Sequence, residues 1–380
     1  MHEHKQNQYK RKVKHRKNVK GLIIFCITVG IAFMFTYYQN LRKEISVRQK
    51  WLETVLTGEK KWILENQGPE GEIYMNGSKA GDVNPYFACM AALGLLAETK
   101  NCPITETEKK AVGRYLDWHT GILLETDGKM GIYRKESGKL IYKEKADSED
   151  GYLGMYLFLM GKYLEKTEST NLPEYWNKGI SLALKKIQSL MQDGITQVSE
   201  ENTTVYLMDN LEVWKGLYEL ELAGLEDTQA ISEMRKKIQE QIEKIFWDDA
   251  NQRWRIIGNS DLYHQTEFYP DGVAQIYPLI YEFPVKEKKK QKVLYDQFTE
   301  RFQWQKLKRT GFLWTITGMA AAQMGDINNL VELIGNYETE YCKERKYPLY
   351  TGEAGWICME CGKLYGIYER KIKTGFILCT

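Results

Sequence analysis

The chain has 380 residues, of which 43% are hydrophobic and 12% aromatic, a composition that supports a large buried core and excludes a disordered protein. Lys and Arg number 53 against 51 Asp and Glu, but the first twenty residues hold eight basic side chains and one acid, so they carry +7 of a formal net +2 and leave the rest at −5. An acidic body without a basic stripe excludes nucleic acid as the partner, and no GxxxxGK[ST] or GxGxxG stretch points to a nucleotide.

Residues 1–20 read as a basic cytoplasmic tail. Residues 21–38, GLIIFCITVGIAFMFTYY, carry no charge and end in two tyrosines suited to a membrane interface. At 1.5 Å per residue this run covers roughly 27 Å, about one hydrocarbon core. It is longer than the apolar stretch of a cleaved signal peptide, and no small-residue cleavage site accompanies it. The expectation is a single-pass signal anchor in the cell membrane. The basic flank stays cytoplasmic and the main domain lies outside the cytoplasm. Residues 39–49 form a juxtamembrane segment.

From about residue 45 the apolar side chains recur with helical spacing, interrupted by short Gly, Asn and Asp punctuation. Twelve helices are predicted, over 46–66, 85–98, 104–120, 149–165, 173–192, 207–224, 228–247, 271–282, 287–303, 311–324, 328–342 and 353–370. The odd members, such as ISEMRKKIQEQIEKIFW, are amphipathic and belong on an outer layer. The even members, such as GYLGMYLFLMGKYL, are apolar nearly all round and rich in Ala and Gly, as inner helices are. Six such pairs, repeating about every 55 residues, predict an all-α fold in which six helical hairpins close into an (α/α)6 toroid. One domain over 50–370, with a tail over 371–380, accounts for the span.

Acids precede most inner helices: Asp82 before the second, Asp147, Glu149 and Asp150 before the fourth, Asp209 at the sixth, Asp271 at the eighth and Glu353 at the twelfth. If inner helices share one direction, these carboxylates converge on one mouth. Helix capping explains any one of them, whereas the cluster as a whole suits glycosidic bond cleavage, which needs one acid to protonate the leaving oxygen and a second carboxylate to activate water or attack. The candidate catalytic residues are Asp82, Asp150, Asp209 and Asp271. The base is Asp209 or Asp271. Asp82 serves as acid if Asp150 or aromatic burial outweighs the helix dipole. Candidate sugar contacts are Asp147, Glu353 and the aromatics Tyr86, Tyr152, Trp118, Trp214 and Tyr269.

The stretches Trp62-Ile-Leu, Gln67-Gly-Pro-Glu-Gly-Glu-Ile73 and Val83-Asn-Pro-Tyr-Phe-Ala88 resemble the first repeat of bacterial six-hairpin glycosidase-like proteins. Asp147-Ser-Glu-Asp-Gly-Tyr152, Asp209-Asn-Leu-Glu212 and Tyr269-Pro-Asp-Gly-Val-Ala-Gln275 resemble later repeats, so that the likeness covers about 50–365. More distantly the chain is similar to glycoside hydrolase family eight, which cuts β-linked glucans. That resemblance implies that Asp82 stands where the family has a Glu acid, and that Asp147 and Asp150 fall on the acids of its second inner helix.

Neither a metal nor a cofactor is called for. Cys358 and Cys361 form a CxxC without a second pair and share a face of the last helix. Only His119 and His264 lie beyond the membrane run, too few for a histidine-based metal site or triad, and His119 reads as packing. A polysaccharide lyase with Tyr263 or His264 as base is the weaker enzyme reading. A membrane-anchored sugar-binding or polymer-export scaffold without catalysis is the rival from another class.

Overall fold

A computed structural model describes residues 25–374 apart from 78–80, 137–138, 170–171, 226–227, 259–266 and 310, and gives residues 2–24 and 375–379 as helix only. The α-helices are α1 (His2–Glu65), α2 (Pro85–Leu95), α3 (Glu106–Glu125), α4 (Glu149–Thr167), α5 (Glu174–Leu190), α6 (Leu207–Leu222), α7 (Thr228–Phe246), α8 (Val273–Ile280), α9 (Lys288–Phe302), α10 (Thr317–Met324), α11 (Ile327–Tyr341) and α12 (Thr351–Cys379). Local chemistry sets several starts. Asn84 caps α2 by accepting the Tyr86 N–H, Thr105 and Glu108 close a capping box on α3, and Ser148 caps α4.

The protein divides into two compact units, residues 1–52 with 365–380, and residues 53–364. In the first, Arg48 donates to the Tyr368 hydroxyl at 3.3 Å. Residues 25–37 of α1 are all exposed, including Phe25, Ile27, Ile31, Phe33 and Phe35. Among the described residues no helix is long and apolar enough to cross a membrane, and residues 21–24 of the apolar run lie outside those whose side chains are described.

Burial sorts the helices of the second unit into two kinds. On α7 only Ile231, Ile238, Ile242 and Phe246 are buried, a single stripe, whereas α4 is buried without a break from Asp150 to Gly161. The inner helices follow one another in space as in sequence: α2 packs on α4, α4 on α6, α6 on α8 and α8 on α10. The last inner helix meets both ends of that series, Gly355 of α12 against Gly94 of α2 and Glu360 of α12 against Gly318 of α10. The approach is closest between α4 and α6. A Cβ on Gly154 would lie 2.7 Å from the Val213 nitrogen and 2.9 Å from the Glu212 oxygen, which only glycine avoids.

The connectors hold short antiparallel strands that helical periodicity does not anticipate. Strands β1 (Asp82–Val83), β2 (Gly131–Glu136) and β3 (Lys139–Lys145) form one sheet, β4 (Met191–Gln192) pairs with β5 (Ile195–Thr196), and β6 (Trp247–Asp248) pairs with β7 (Arg253–Trp254). The connectors also shape the starts of two inner helices, of which α10 begins later than expected. A π-helical turn, Phe268–Gly272, precedes α8. Residues 313–315 are held out of α10 because Glu353 accepts their three backbone N–H groups at 2.9–3.0 Å, with Trp314 at φ +60.

Candidate active site

Two helix starts placed side by side create the site. Asp150 sits in the first turn of α4, and Asp209 and Glu212 lie one turn apart on α6. The bare Cα of Gly151 lets them approach, since a Cβ there would lie 2.8 Å from Glu212 Oε2 and 2.9 Å from Ser148 Oγ. Asp150 is fully buried and Glu212 is 2% exposed, while Asp209 is half-buried.

Ser148 joins two of the three carboxyls. Its Oγ lies 2.8 Å from Asp150 Oδ1 and 2.8 Å from Asp209 Oδ2. A serine hydroxyl has one hydrogen, so it donates to one of them, and the second contact is a hydrogen bond only when that carboxyl carries a proton. Asp150 has the stronger claim to negative charge, because it also accepts from Thr196 Oγ1 at 2.7 Å and from the Gly151 N–H at 3.0 Å. Burial raises Asp150 to about 6 against these hydrogen bonds. Asp209 rises well above the usual carboxylate range, first through burial and then through the charges of Asp150 and Glu212. The proton of the pair therefore resides on Asp209.

Glu212 lies beneath them in a cage of phenols. Its Oε1 accepts from Tyr86, from Tyr277 at 2.7 Å and from Tyr281 at 3.3 Å. Burial pushes its carboxyl up to about 8 in spite of these donors. Sequence reasoning missed Glu212 because it weighed only acids at helix starts. The signal was there in the three-residue spacing to Asp209, which puts both on one helix face, and in the four-residue spacing of Tyr277 and Tyr281.

An arc of aromatic rings borders the cluster. Tyr152 packs on Tyr86 with centroids 5.5 Å apart, and Tyr86 on Phe87 at 5.6 Å. Phe87 stacks on Phe312 at 5.4 Å, Phe312 meets Trp314 at 6.2 Å, and Trp314 lies 4.6 Å from Tyr269. Tyr269 is 51% exposed, and its hydroxyl is raised to about 12 by burial and then by Asp209, Asp147 and Glu212. Asp147 is exposed beside this arc. Contacts among side chains at the starts of α2, α4, α6, α8 and α10 put those starts at one mouth.

Other expected site residues lie elsewhere. Asp82 does not lead α2 but sits in β1, where Arg134 Nε at 2.6 Å and Lys143 Nζ at 2.8 Å neutralise it. The Arg134 hydrogen bond, above all, holds its carboxyl below the usual range, the reverse of what a general acid needs. Trp118 packs on Tyr115 and Tyr133, and Trp214 stacks on Tyr218 and donates to Gln239. Both are core side chains, because the faces of α3 and α6 that carry them turn into helix contacts. Glu353 is buried and spends its oxygens on the 313–315 backbone, so it positions Trp314 and is not free to hold a sugar. Asp271 is buried within the π-helical turn that carries Tyr269. His119 is buried against Tyr115 and Cys89, and burial lowers it to about 3, so it is neutral. Tyr263 and His264 lie outside the described residues. Cys358 and Cys361 are buried free thiols, and among the described residues no His, Cys, Asp and Glu group is placed to hold a metal ion.

No family model matches the chain, and no curated protein matches it. Solved structures do. A wild-type glycosidase superposes with a TM-score of 0.57 at 11% identity, covering 86% of this chain and 98% of that one, and the same glycosidase type has been solved in complex with glucose. An α-amylase from Clostridium perfringens gives 0.52 at 13% identity over 80% and 97% of the two chains, and a D-mannose isomerase gives 0.54 at 10% over 83% and 97%. The chain thus has a glycosidase-like, all-α fold, which at these identities assigns no residue a role.

Proposed function

We propose that this protein is a glycoside hydrolase whose six helical hairpins form an (α/α)6 toroid, anchored in the cell membrane by α1 with its main domain outside the cytoplasm. The closure of α12 on α2 and α10 supports the toroid. The exposure of the apolar side chains of residues 25–37 supports the anchor, because ten such side chains in water are a cost that lipid removes.

One observation carries the catalytic reading: a single serine hydroxyl is shared by a buried carboxylate and a half-buried carboxyl beside an arc of aromatic rings. Asp209, protonated, donates to the glycosidic oxygen as the bond to the anomeric carbon breaks. Asp150 keeps Asp209 protonated through its charge. Asp147 is the exposed carboxylate that takes a proton from the attacking water. The accessible rings of the arc, Tyr269 above all, stack on the C–H faces of the sugars. The substrate is a polysaccharide or oligosaccharide, in line with the glucose bound by the glycosidase of similar fold.

Leaving-group chemistry tests these roles. Asp209→Asn should lose glucan hydrolysis by roughly 10²–10⁴-fold, the usual contribution of a general acid, yet retain cleavage of aryl glycosides whose phenolate leaves without protonation. Asp147→Asn should lose both, and Asp82→Asn neither. Equal loss of both substrates in Asp209→Asn would remove the acid from that position. The rival reading is a sugar-binding protein without hydrolysis, and absence of any cleavage with retained glucan binding would establish it.

A further inference from the structure

A further cavity is lined by none of the residues of the carboxyl cluster. It encloses about 270 Å³ between the C-terminal half of α7, the β6–β7 hairpin and the start of α9. Trp247 is half-buried in its wall, with Trp254 edge-on at 5.1 Å and 73°. Trp254 is itself fixed, donating from Nε1 to Gln291 at 3.0 Å.

The charges around these indoles largely cancel one another. Lys286 pairs with Glu243 at 2.6 Å, and Lys290 lies 3.0 Å from Glu287 and 3.5 Å from Asp249, with its ammonium 5.3 Å from the Trp247 ring centre. Glu240 and Lys244, one turn apart on α7, are exposed on the same wall. A phosphate or a polyanion would meet four carboxylates here, and a cationic ligand three ammonium groups. What such a lining offers is a dense alternation of hydrogen-bond donors and acceptors beside an indole. That suits an uncharged molecule with many hydroxyls and an apolar C–H face. The volume falls just under the range of about 300–1,000 Å³ typical of drug-sized ligands, a size for a short saccharide segment.

We infer that this cavity is a second saccharide-binding site, which holds a neutral polysaccharide on Trp247 while another part of the chain occupies the mouth. The inference rests on the hydrolase reading only for the identity of the polymer. Holding the polymer at two points raises the effective concentration of its remaining length at the mouth. Small substrates gain nothing from such an arrangement.

Native affinity electrophoresis of the full-length protein in gels containing soluble starch or mixed-linkage β-glucan tests this. Trp247→Ala should weaken retardation by one glucan roughly five- to tenfold, the loss of one stacked aromatic contact. Glu240→Gln, a change at an exposed residue that leaves the fold intact, should weaken it less. Trp314→Ala at the mouth should weaken it independently, and the double Trp247→Ala, Trp314→Ala variant should abolish it. Trp247→Ala and Glu240→Gln both migrating as wild type would overturn the inference, as would a wild-type protein retarded by neither glucan. Reducing-sugar release in parallel separates this outcome from the fate of the hydrolase reading. Loss of retention in Trp247→Ala without hydrolysis by wild type keeps the site and removes the enzyme, whereas hydrolysis with unchanged retention does the reverse.

Discussion

Ser148, Asp150, Asp209 and Glu212 form a set in which each carboxyl alters the proton affinity of the next. The charge of Asp150 helps keep Asp209 protonated, so Asp150→Asn should lower the pKa of Asp209 and move the alkaline limb of the rate profile toward lower pH. A limb that stays in place would place the essential acid elsewhere. Glu212 makes a stability prediction with a definite sign. Its folded-state pKa of about 8 lies above the ordinary 4.5, so its contribution is fully present below about pH 4.5 and is lost as pH rises toward 8. The wild-type Tm should therefore fall between about pH 5 and 8, and Glu212→Gln, which cannot ionise, should show a smaller fall. Parallel Tm curves would mean that Glu212 titrates normally.

Helix pairing positions these side chains, and Gly154 sets the spacing of the pair that matters most. Gly154→Ala would press a methyl into the Glu212–Val213 backbone, costing about 1–3 kcal/mol and pushing α6 away from α4. Because that shift separates Asp209 from Ser148, the variant should lose activity at temperatures where circular dichroism still shows it folded. An active variant with only a lowered Tm would show that the site tolerates the movement. The same elements show what the sequence could reveal. The alternation of α7, apolar on one stripe, with α4, apolar all round, made the helices and their layers legible. Starts set by a local cap, such as those of α3 and α4, fell within a residue or two of expectation. The start of α10 did not, since the hold of Glu353 on residues 313–315 is a contact across 38–40 residues that no local pattern encodes. Asp82 misled for the same reason. Only the pairing of β1 with β2 brings Arg134 beside it. Trp118 and Trp214 could not be told from platform residues, because helix ends near a mouth and helix faces in a core use the same side chains.

At the scale of the whole molecule, an acidic body, a basic N-terminal stretch and an exposed apolar helix segment are the features from which a membrane-held hydrolase is proposed. If α1 inserts into lipid, the full-length protein should stay with membranes through high salt and alkaline carbonate and leave only with detergent. Release by carbonate would reduce α1 to a peripheral contact. The central claim is that an Asp209-centred mouth cuts glycosidic bonds, and reducing-sugar release from soluble starch and mixed-linkage β-glucan by full-length wild type and Asp209→Asn tests it most directly. The account predicts release by wild type from at least one glucan and its loss in Asp209→Asn at an unchanged Tm; undiminished release by Asp209→Asn, or none by a wild type that still binds glucan, would contradict it.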